Sequence, residues 1–201
     1  YVVSALSEKS AAEIADSGLS GADEVRFAAT SAAATLVLFA GDTGIERVVI
    51  GTGTGASAVT TGTLAHGIDA RALGNAVTLV GNSGANILHA TSFGDELQGG
   101  NGIDRLYGYA GHDVLDGGRG ADILYGGTGN DTYLVDDASD APVERAGEGT
   151  DTVLASVAHT LKAHVENLQL TGIYSIHGRG NELANLLTGN AGSNKLWGLG
   201  G

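Results

Sequence analysis

Between residues 99 and 134 one nine-residue pattern is written four times without a break: GGNGIDRLY (99–107), GYAGHDVLD (108–116), GGRGADILY (117–125) and GGTGNDTYL (126–134). Each block carries Gly or Tyr at position 2, Gly at 4, Asp at 6 and a large apolar residue at 8. Such a run narrows the fold sharply. Gly-Gly-x-Gly makes a poor helix and a poor strand, because glycine loses the most backbone freedom on ordering; it suits a tight turn that visits positive φ. The last three residues of each block (105–107, 114–116, 123–125 and 132–134) read as short strands with one side chain directed inward. A flexible Gly-rich linker would not hold an apolar residue at every eighth place.

Turn, strand, turn and strand make one coil of eighteen residues, so each block stacks on its second neighbour. Asp104 then lies over Asp122, and Asp113 over Asp131. Stacked like charges repel. A hard cation with oxygen ligands resolves the repulsion, and calcium accepts carboxylates and backbone carbonyls in a flexible shell. The absence of Cys and of clustered His argues against zinc or copper.

The four blocks resemble the glycine-aspartate nonapeptide of the RTX (repeats-in-toxin, haemolysin-type) calcium-binding family. The resemblance implies an all-β, right-handed parallel β-roll or β-helix solenoid with several Ca²⁺ ions between stacked turns. It also implies ligand sets. Turn carbonyls near positions 2 and 4 of one block join those near 1 and 3 of the block eighteen residues on, and the two position-6 aspartates complete the shell. Carried onto this sequence, one gap holds Gly100, Gly102 and Asp104 with Gly117, Arg119 and Asp122. The next holds Tyr109, Gly111 and Asp113 with Gly126, Thr128 and Asp131. Arg119 and Thr128 act through their carbonyls only. The resemblance also implies metal-site roles for the turn residues Gly108, Ala110, Gly118 and Gly120 and for Asp95, one coil earlier. Asp137 and Asp140 are expected to close the last gap of their column. Without calcium this stretch is expected to be disordered.

Net charge is −13, so nucleic acid is an unsuitable partner: phosphate binding needs basic patches. The acids at position 6 are read as cation-binding capacity and the others as a solubilising surface. Hydrophobic residues make up 42 % of the chain, enough to bury a core, and the scarcity of aromatics (5 %) makes that core thin and aliphatic. No apolar run reaches membrane-spanning length, and no signal peptide is visible. The lack of Cys fits secretion by a route that forms no disulfides, and fits cytosolic proteins as well. With no Met in the chain and a last block broken off at Gly201, both ends read as cut from a longer protein, monomeric as a fragment.

Taken in order, residues 1–80 form an irregular β segment, an extension or cap of the solenoid. Residues 7–16 fit a short helix or a strand and turn equally. Strand-like runs follow at 24–27, 35–39, 47–50 and 75–80. The Gly-Thr-Gly run at 51–55 has the composition of a phosphate loop but lacks its Lys-Ser/Thr ending, and is read as a turn. Residues 81–134 are the nonapeptide roll, opened by GNSGANILH (81–89), with Asn86 at position 6, and ATSFGDELQ (90–98), which keeps Asp95 and Leu97 but loses its glycines at 1, 2 and 4. Residues 135–179 are a second irregular β segment, in which Pro142 excludes an ordinary inner strand. GADEV (21–25) matches GTDTV (149–153), and IERVVIG (45–51) matches VENLQLTG (165–172), so one module is used twice. Residues 180–201 are truncated coils, GNELANLLT and GNAGSNKLW, with Asn185 and Asn194 at position 6. A neutral amide is a poorer cation ligand than a carboxylate, so these coils are expected to stack through Asn ladders and turn hydrogen bonds instead.

No HExxH and no GxSxG motif occurs, so the catalytic signatures of RTX proteases and lipases are missing. His159 and His164, five apart, read as surface or structural residues. Tyr107 and Tyr125 fall eighteen apart at position 9 and are expected to stack as an outward pair. The expectation is a non-catalytic calcium-binding structural module of a secreted or cell-surface bacterial protein, folding on calcium outside the cell. Two alternatives stay open: the carrier or secretion domain of an RTX enzyme (protease, lipase or epimerase) whose catalytic domain lies elsewhere, and an adhesin or surface-layer module that binds a protein or a glycan.

Overall fold

The computed structural model describes residues 2–3, 23–27, 34–42, 44–51 and 60–200. The readings of 7–16 and of most of the 51–55 turn lie outside the described residues.

The described residues form a parallel β-solenoid with no helix. Its longest sheet has ten strands: β1 (Val2–Val3), β2 (Asp23–Phe27), β4 (Ile45–Ile50), β6 (Thr78–Val80), β8 (Glu96–Asn101), β10 (Val114–Arg119), β12 (Thr132–Val135), β14 (Thr152–Ala155), β16 (Asn167–Leu170) and β18 (Leu186–Thr188). A six-stranded sheet runs β3 (Thr35–Val37), β5 (Gly67–Asp69), β7 (Ile87–His89), β9 (Arg105–Ala110), β11 (Ile123–Thr128) and β13 (Ala141–Val143). Near the C-terminal end a three-stranded sheet contains β15 (His159–Thr160), β17 (Gly178–Arg179) and β19 (Leu196–Trp197).

The eighteen-residue coil is the observed pitch of the array. Val114 pairs with Glu96 and Thr132, and Ile123 with Arg105 and Ala141. Position 8 therefore stacks on itself. Leu79, Leu97, Leu115, Tyr133, Val153 and Leu168 are successive partners along one sheet, and Leu36, Ile68, Leu88, Leu106 and Leu124 along the other. All eleven are buried. The core is thus two facing ladders of single side chains, each contributing about 1.5–3 kcal/mol on burial.

One local expectation is corrected. Strand structure is not confined to positions 7–9; in β8 to β11 it runs on through positions 1–3 of the next block. Glycine is a weak strand former alone, but here a neighbour eighteen residues away pairs with it: Gly118 with Gly100, and Gly127 with Tyr109. Tertiary pairing overrides propensity. Pro142 does lie in a strand, at the edge of the six-stranded sheet, where its missing N–H costs no ladder bond to a further strand.

The duplicated sequence carries a duplicated contact. The Asp23 N–H donates to Glu46 Oε2 (2.6 Å) and the Asp151 N–H to Glu166 Oε2 (2.8 Å), at matched places in the two copies. On the outer face, Tyr107 stacks on Tyr125 at 4.7 Å and 2°, and His89 extends the stack at 4.6 Å from Tyr107. These spacings are those of neighbouring strands.

Candidate metal centre

Position 6 builds two continuous columns. In each, the backbone N–H of one residue donates to the carboxylate Oδ1 about one coil further on. One column runs from Val77 to Asp95 (2.7 Å), Asp95 to Asp113 (2.7 Å), Asp113 to Asp131 (2.8 Å) and Asp131 to Asp151 (2.8 Å). The other runs from Asn86 to Asp104 (2.6 Å), Asp104 to Asp122 (2.7 Å) and Asp122 to Asp140 (3.1 Å). One oxygen of every carboxylate is thus fixed by the backbone of the preceding coil.

The second oxygen divides the columns into two kinds. In Asp104, Asp113, Asp122, Asp131 and Asp151 the Oδ2 is buried and has no hydrogen-bond partner. In Asp95 it accepts from the Thr91 N–H (2.8 Å) and hydroxyl (2.7 Å), and in Asp140 from the Asp136 (3.2 Å) and Asp137 (3.0 Å) N–H groups. Asn86, Asn185 and Asn194 close the same way: each side-chain oxygen accepts from the N–H four residues earlier, at 2.8 Å. An oxygen buried without a donor costs free energy that a cation would recover.

Backbone conformation at position 2 separates the two kinds. The open coils have positive φ there: Gly100 (109°), Tyr109 (76°), Gly118 (75°), Gly127 (97°) and Gly147 (83°). In the closed coils position 2 is Asn82, Thr91, Asp136, Asn181 or Asn190, none with positive φ, and its N–H points back at position 6. At position 4, Gly120 has φ 147° and Gly102 O lies directly beneath its Cα, so any side chain would strike that carbonyl. Gly100 O lies likewise beneath Gly118, and Tyr109 O and Gly111 O beneath Gly127 and Gly129. Turn carbonyls of one coil therefore lie close against the glycines of the next.

The residues singled out from sequence fall as follows. Gly117 O and Asp104 Oδ2 converge on Gly99, and Gly126 O and Asp113 Oδ2 converge on Gly108. Arg119 O and Thr128 O accept from Gly102 and Gly111 N–H, each at 2.9 Å. Ala110 ends β9. The Asp137 carboxylate is exposed and accepts from the Ser139 N–H (2.8 Å). Two acids outside that set join the site: Asp131, Glu144 and Asp151 are all buried, and one carboxylate oxygen of each lies within 4.8 Å of the others. Asp151 falls in the duplicated GTDTV copy at 149–153, whereas no spacing rule signals Glu144. His159 and His164 belong to no such group among the described residues; His159 is buried in β15, and burial lowers its pKa to about 4.

Burial controls the charge of these acids. It raises the carboxyl pKa to about 7 in Asp104 and Asp113 and to about 6 in Asp122 and Asp151, with neighbouring carboxylates adding to the shift. Asp131 is raised for the same reason, and Glu144 reaches about 9 through burial and the charge of Asp151. Burial among one another makes these carboxylates resist ionisation, and a bound cation would reverse that preference.

Stacked Gly-rich turns with orphaned carboxylate oxygens define a cation-binding solenoid. The family model of the RTX calcium-binding nonapeptide repeat matches in four copies, over residues 80–115, 98–133 and 179–201, and the chain therefore carries RTX calcium-binding repeats. What that match covers is a repeat region, not a catalytic domain. No curated protein and no solved structure matches the chain. No helix among the described residues is long and apolar enough to cross a membrane.

Proposed function

We propose that the chain is a non-catalytic structural module whose middle third folds around calcium, in a bacterial protein that meets calcium outside the cell. The observation that carries this reading is the set of buried, unpartnered Oδ2 atoms on Asp104, Asp113, Asp122 and Asp131. Gly117 O lies beside Asp104 Oδ2 and Gly126 O beside Asp113 Oδ2, oxygen neighbours of the kind calcium prefers. The ligands of one gap are Asp104 and Asp122 with carbonyls from 100, 102, 117 and 119; those of the next are Asp113 and Asp131 with carbonyls from 109, 111, 126 and 128. Asp95, Asp137 and Asp140 serve as protein-capped ends, because backbone or hydroxyl donors already occupy them.

Ligation energy becomes folding energy when the empty site is unstable. Extracellular calcium modules bind at about 10⁻⁴–10⁻³ M, so such a module stays loose at low calcium and sets outside. Hydrogen exchange of the 201-residue chain in EDTA and then in calcium tests this. Amides of β8 to β12 should gain protection on calcium addition, with magnesium substituting poorly because it demands tighter octahedral geometry. Protection indifferent to calcium would end the proposal.

A further inference from the structure

We propose that Asp131, Glu144 and Asp151 form a separate, carboxylate-rich site for one calcium-sized divalent cation, locking the irregular 135–151 segment onto the end of the array. It shares Asp131 with the array, follows the position-6 column on to Asp151, and adds Glu144, a carboxylate that the repeat does not supply. The coil from 126 and the coil ending at Asp151 are offset by twenty residues instead of eighteen, as Thr132 pairs with Thr152. β13 keeps the eighteen-residue offset through Val143, which pairs with Tyr125, so Glu144 stands eighteen residues after Gly126 and the two added residues fall between it and Thr152. The Glu144 carboxylate meets Asp131 and Asp151, with ligand oxygens of all three within 4.8 Å of one another. Two oxygens bound to one calcium at about 2.3–2.6 Å can be no farther apart than about 5.2 Å, so the spacing fits a single ion.

A second observation points to a ligand. Asp131 Oδ2, Glu144 Oε2 and Asp151 Oδ2 are all buried without a hydrogen-bond partner, in residues only 1 %, 7 % and 1 % exposed. The other oxygens are spoken for: Asp131 Oδ1 accepts from Asp113 N–H and Asp151 Oδ1 from Asp131 N–H. Glu144 Oε1 accepts from the Tyr133 hydroxyl, which in turn accepts from the Gly126 N–H at 2.9 Å. Tyr133 replaces the leucine that fills position 8 in the three preceding blocks and is fully buried. Its hydroxyl holds Glu144 Oε1 and leaves Oε2 buried without a partner. Affinity in such sites rises with the number of charged ligands and with rigidity. Three carboxylates, one of them held by a buried tyrosine, make this the tightest site of the chain.

Calcium titration calorimetry on the full chain tests the site. Relative to wild type, Glu144→Gln should lose the tightest step, weakening it by more than about tenfold, while the array steps remain. Tyr133→Phe keeps all three carboxylates and should weaken the same step by about tenfold with unchanged stoichiometry. Asn194→Ala, in a self-closed coil outside the cluster and the array, should leave that step in place, which separates ligand loss from general damage. If Glu144→Gln unfolds, the Tyr133→Phe titration decides alone. An unchanged tightest step in Glu144→Gln, or in Tyr133→Phe where Glu144→Gln does not fold, overturns the site while leaving the array reading intact; no calcium uptake by the wild-type chain overturns both.

Discussion

The coils at 99–134 and those at 180–197 share a nine-residue pitch and match one family model, yet they treat position 6 in opposite ways. In the C-terminal coils the amide of Asn185 or Asn194 satisfies itself: the oxygen accepts from position 2, and Nδ2 donates to carbonyls of the preceding coil. In the central coils a carboxylate stands in the same place with no donor for its second oxygen. An amide brings both donor and acceptor, whereas a carboxylate brings acceptors only. The first kind of coil satisfies its position-6 side chain with its own donors and acceptors, and the second leaves one buried acceptor without a donor.

The largest test of that comparison is Asp113→Ala. Asp113 holds the Asp95 N–H, and its own N–H is held by Asp131, so it stands in the middle of its column. Removing its carboxylate strips an unpaired oxygen from the gap it shares with Asp131 and leaves the Asp95 N–H buried without an acceptor. The latter alone costs about 1–3 kcal/mol. Calorimetry should show fewer calcium ions bound and reduced cooperativity, since a break in mid-solenoid severs neighbour contacts on both sides. Asn194→Ala, the equivalent truncation in a self-closed coil, should lower stability without changing calcium stoichiometry. Equal calcium stoichiometry in Asp113→Ala and wild type would erase the distinction between the two kinds of coil.

Protons should partly stand in for calcium, a smaller effect confined to the open coils. The relevant carboxyls are raised in the fold, to about 7 for Asp104 and Asp113 and about 6 for Asp122, by burial first and by neighbouring carboxylates second. Unfolded, they titrate near 3.9. Between these values the calcium-free fold binds more protons than the unfolded chain, so its stability falls as pH rises. The contribution is fully present below about 4 and is lost as pH passes through 6 to 7. In EDTA, circular dichroism should therefore show more β structure at pH 4.5 than at pH 7.5. With calcium the order reverses, because ligands must shed protons to bind. A β signal in EDTA that rises with pH would contradict this.

Much of this was readable in the repeat itself. Period nine, the apolar residue at 8 and the aspartate at 6 fix the stacking of Asp104 on Asp122 and of Leu106 on Leu124, and the structure shows both. The outward stack of Tyr107 on Tyr125 follows from the same period. Two things were not legible. Glu144 stands eighteen residues after Gly126, where the repeat carries glycine, and nothing periodic announces a carboxylate there. The difference between open and closed aspartates was written at position 2, not position 6. Gly100, Gly118 and Gly127 permit positive φ and turn their N–H away, whereas Thr91 and Asp136 keep ordinary backbone and point it at the carboxylate. Tyr109 is the informative exception, a bulky residue held at φ 76° between two glycine-led coils, its hydroxyl 2.7 Å from His89 Nδ1.

The smallest expected effect makes the sharpest discrimination. Asp95 carries the same residue type at the same position as Asp113, eighteen residues earlier, and sequence alone ranks it as a ligand. Its Oδ1 accepts from Val77 N–H, and its Oδ2 from both the Thr91 N–H and the Thr91 hydroxyl. Both oxygens thus already accept from protein donors. In Asp95→Asn, Oδ1 can keep the Val77 bond, and the Thr91 hydroxyl can rotate to accept from the new Nδ2. The Thr91 N–H then loses its acceptor, a cost of about 1–3 kcal/mol at a buried position. Calcium stoichiometry and the affinity of each step should stay at wild-type values, with only the thermal midpoint lowered. Asp113→Asn makes the identical chemical change one coil further on, where Oδ2 has no protein donor to lose. There calcium binding should suffer, while stability in EDTA should rise or hold, because a self-satisfying amide replaces an orphaned carboxylate. Loss of a calcium ion in Asp95→Asn equal to that in Asp113→Asn would show that hydrogen-bond occupancy of the second oxygen does not select the sites, and that every position-6 aspartate binds alike.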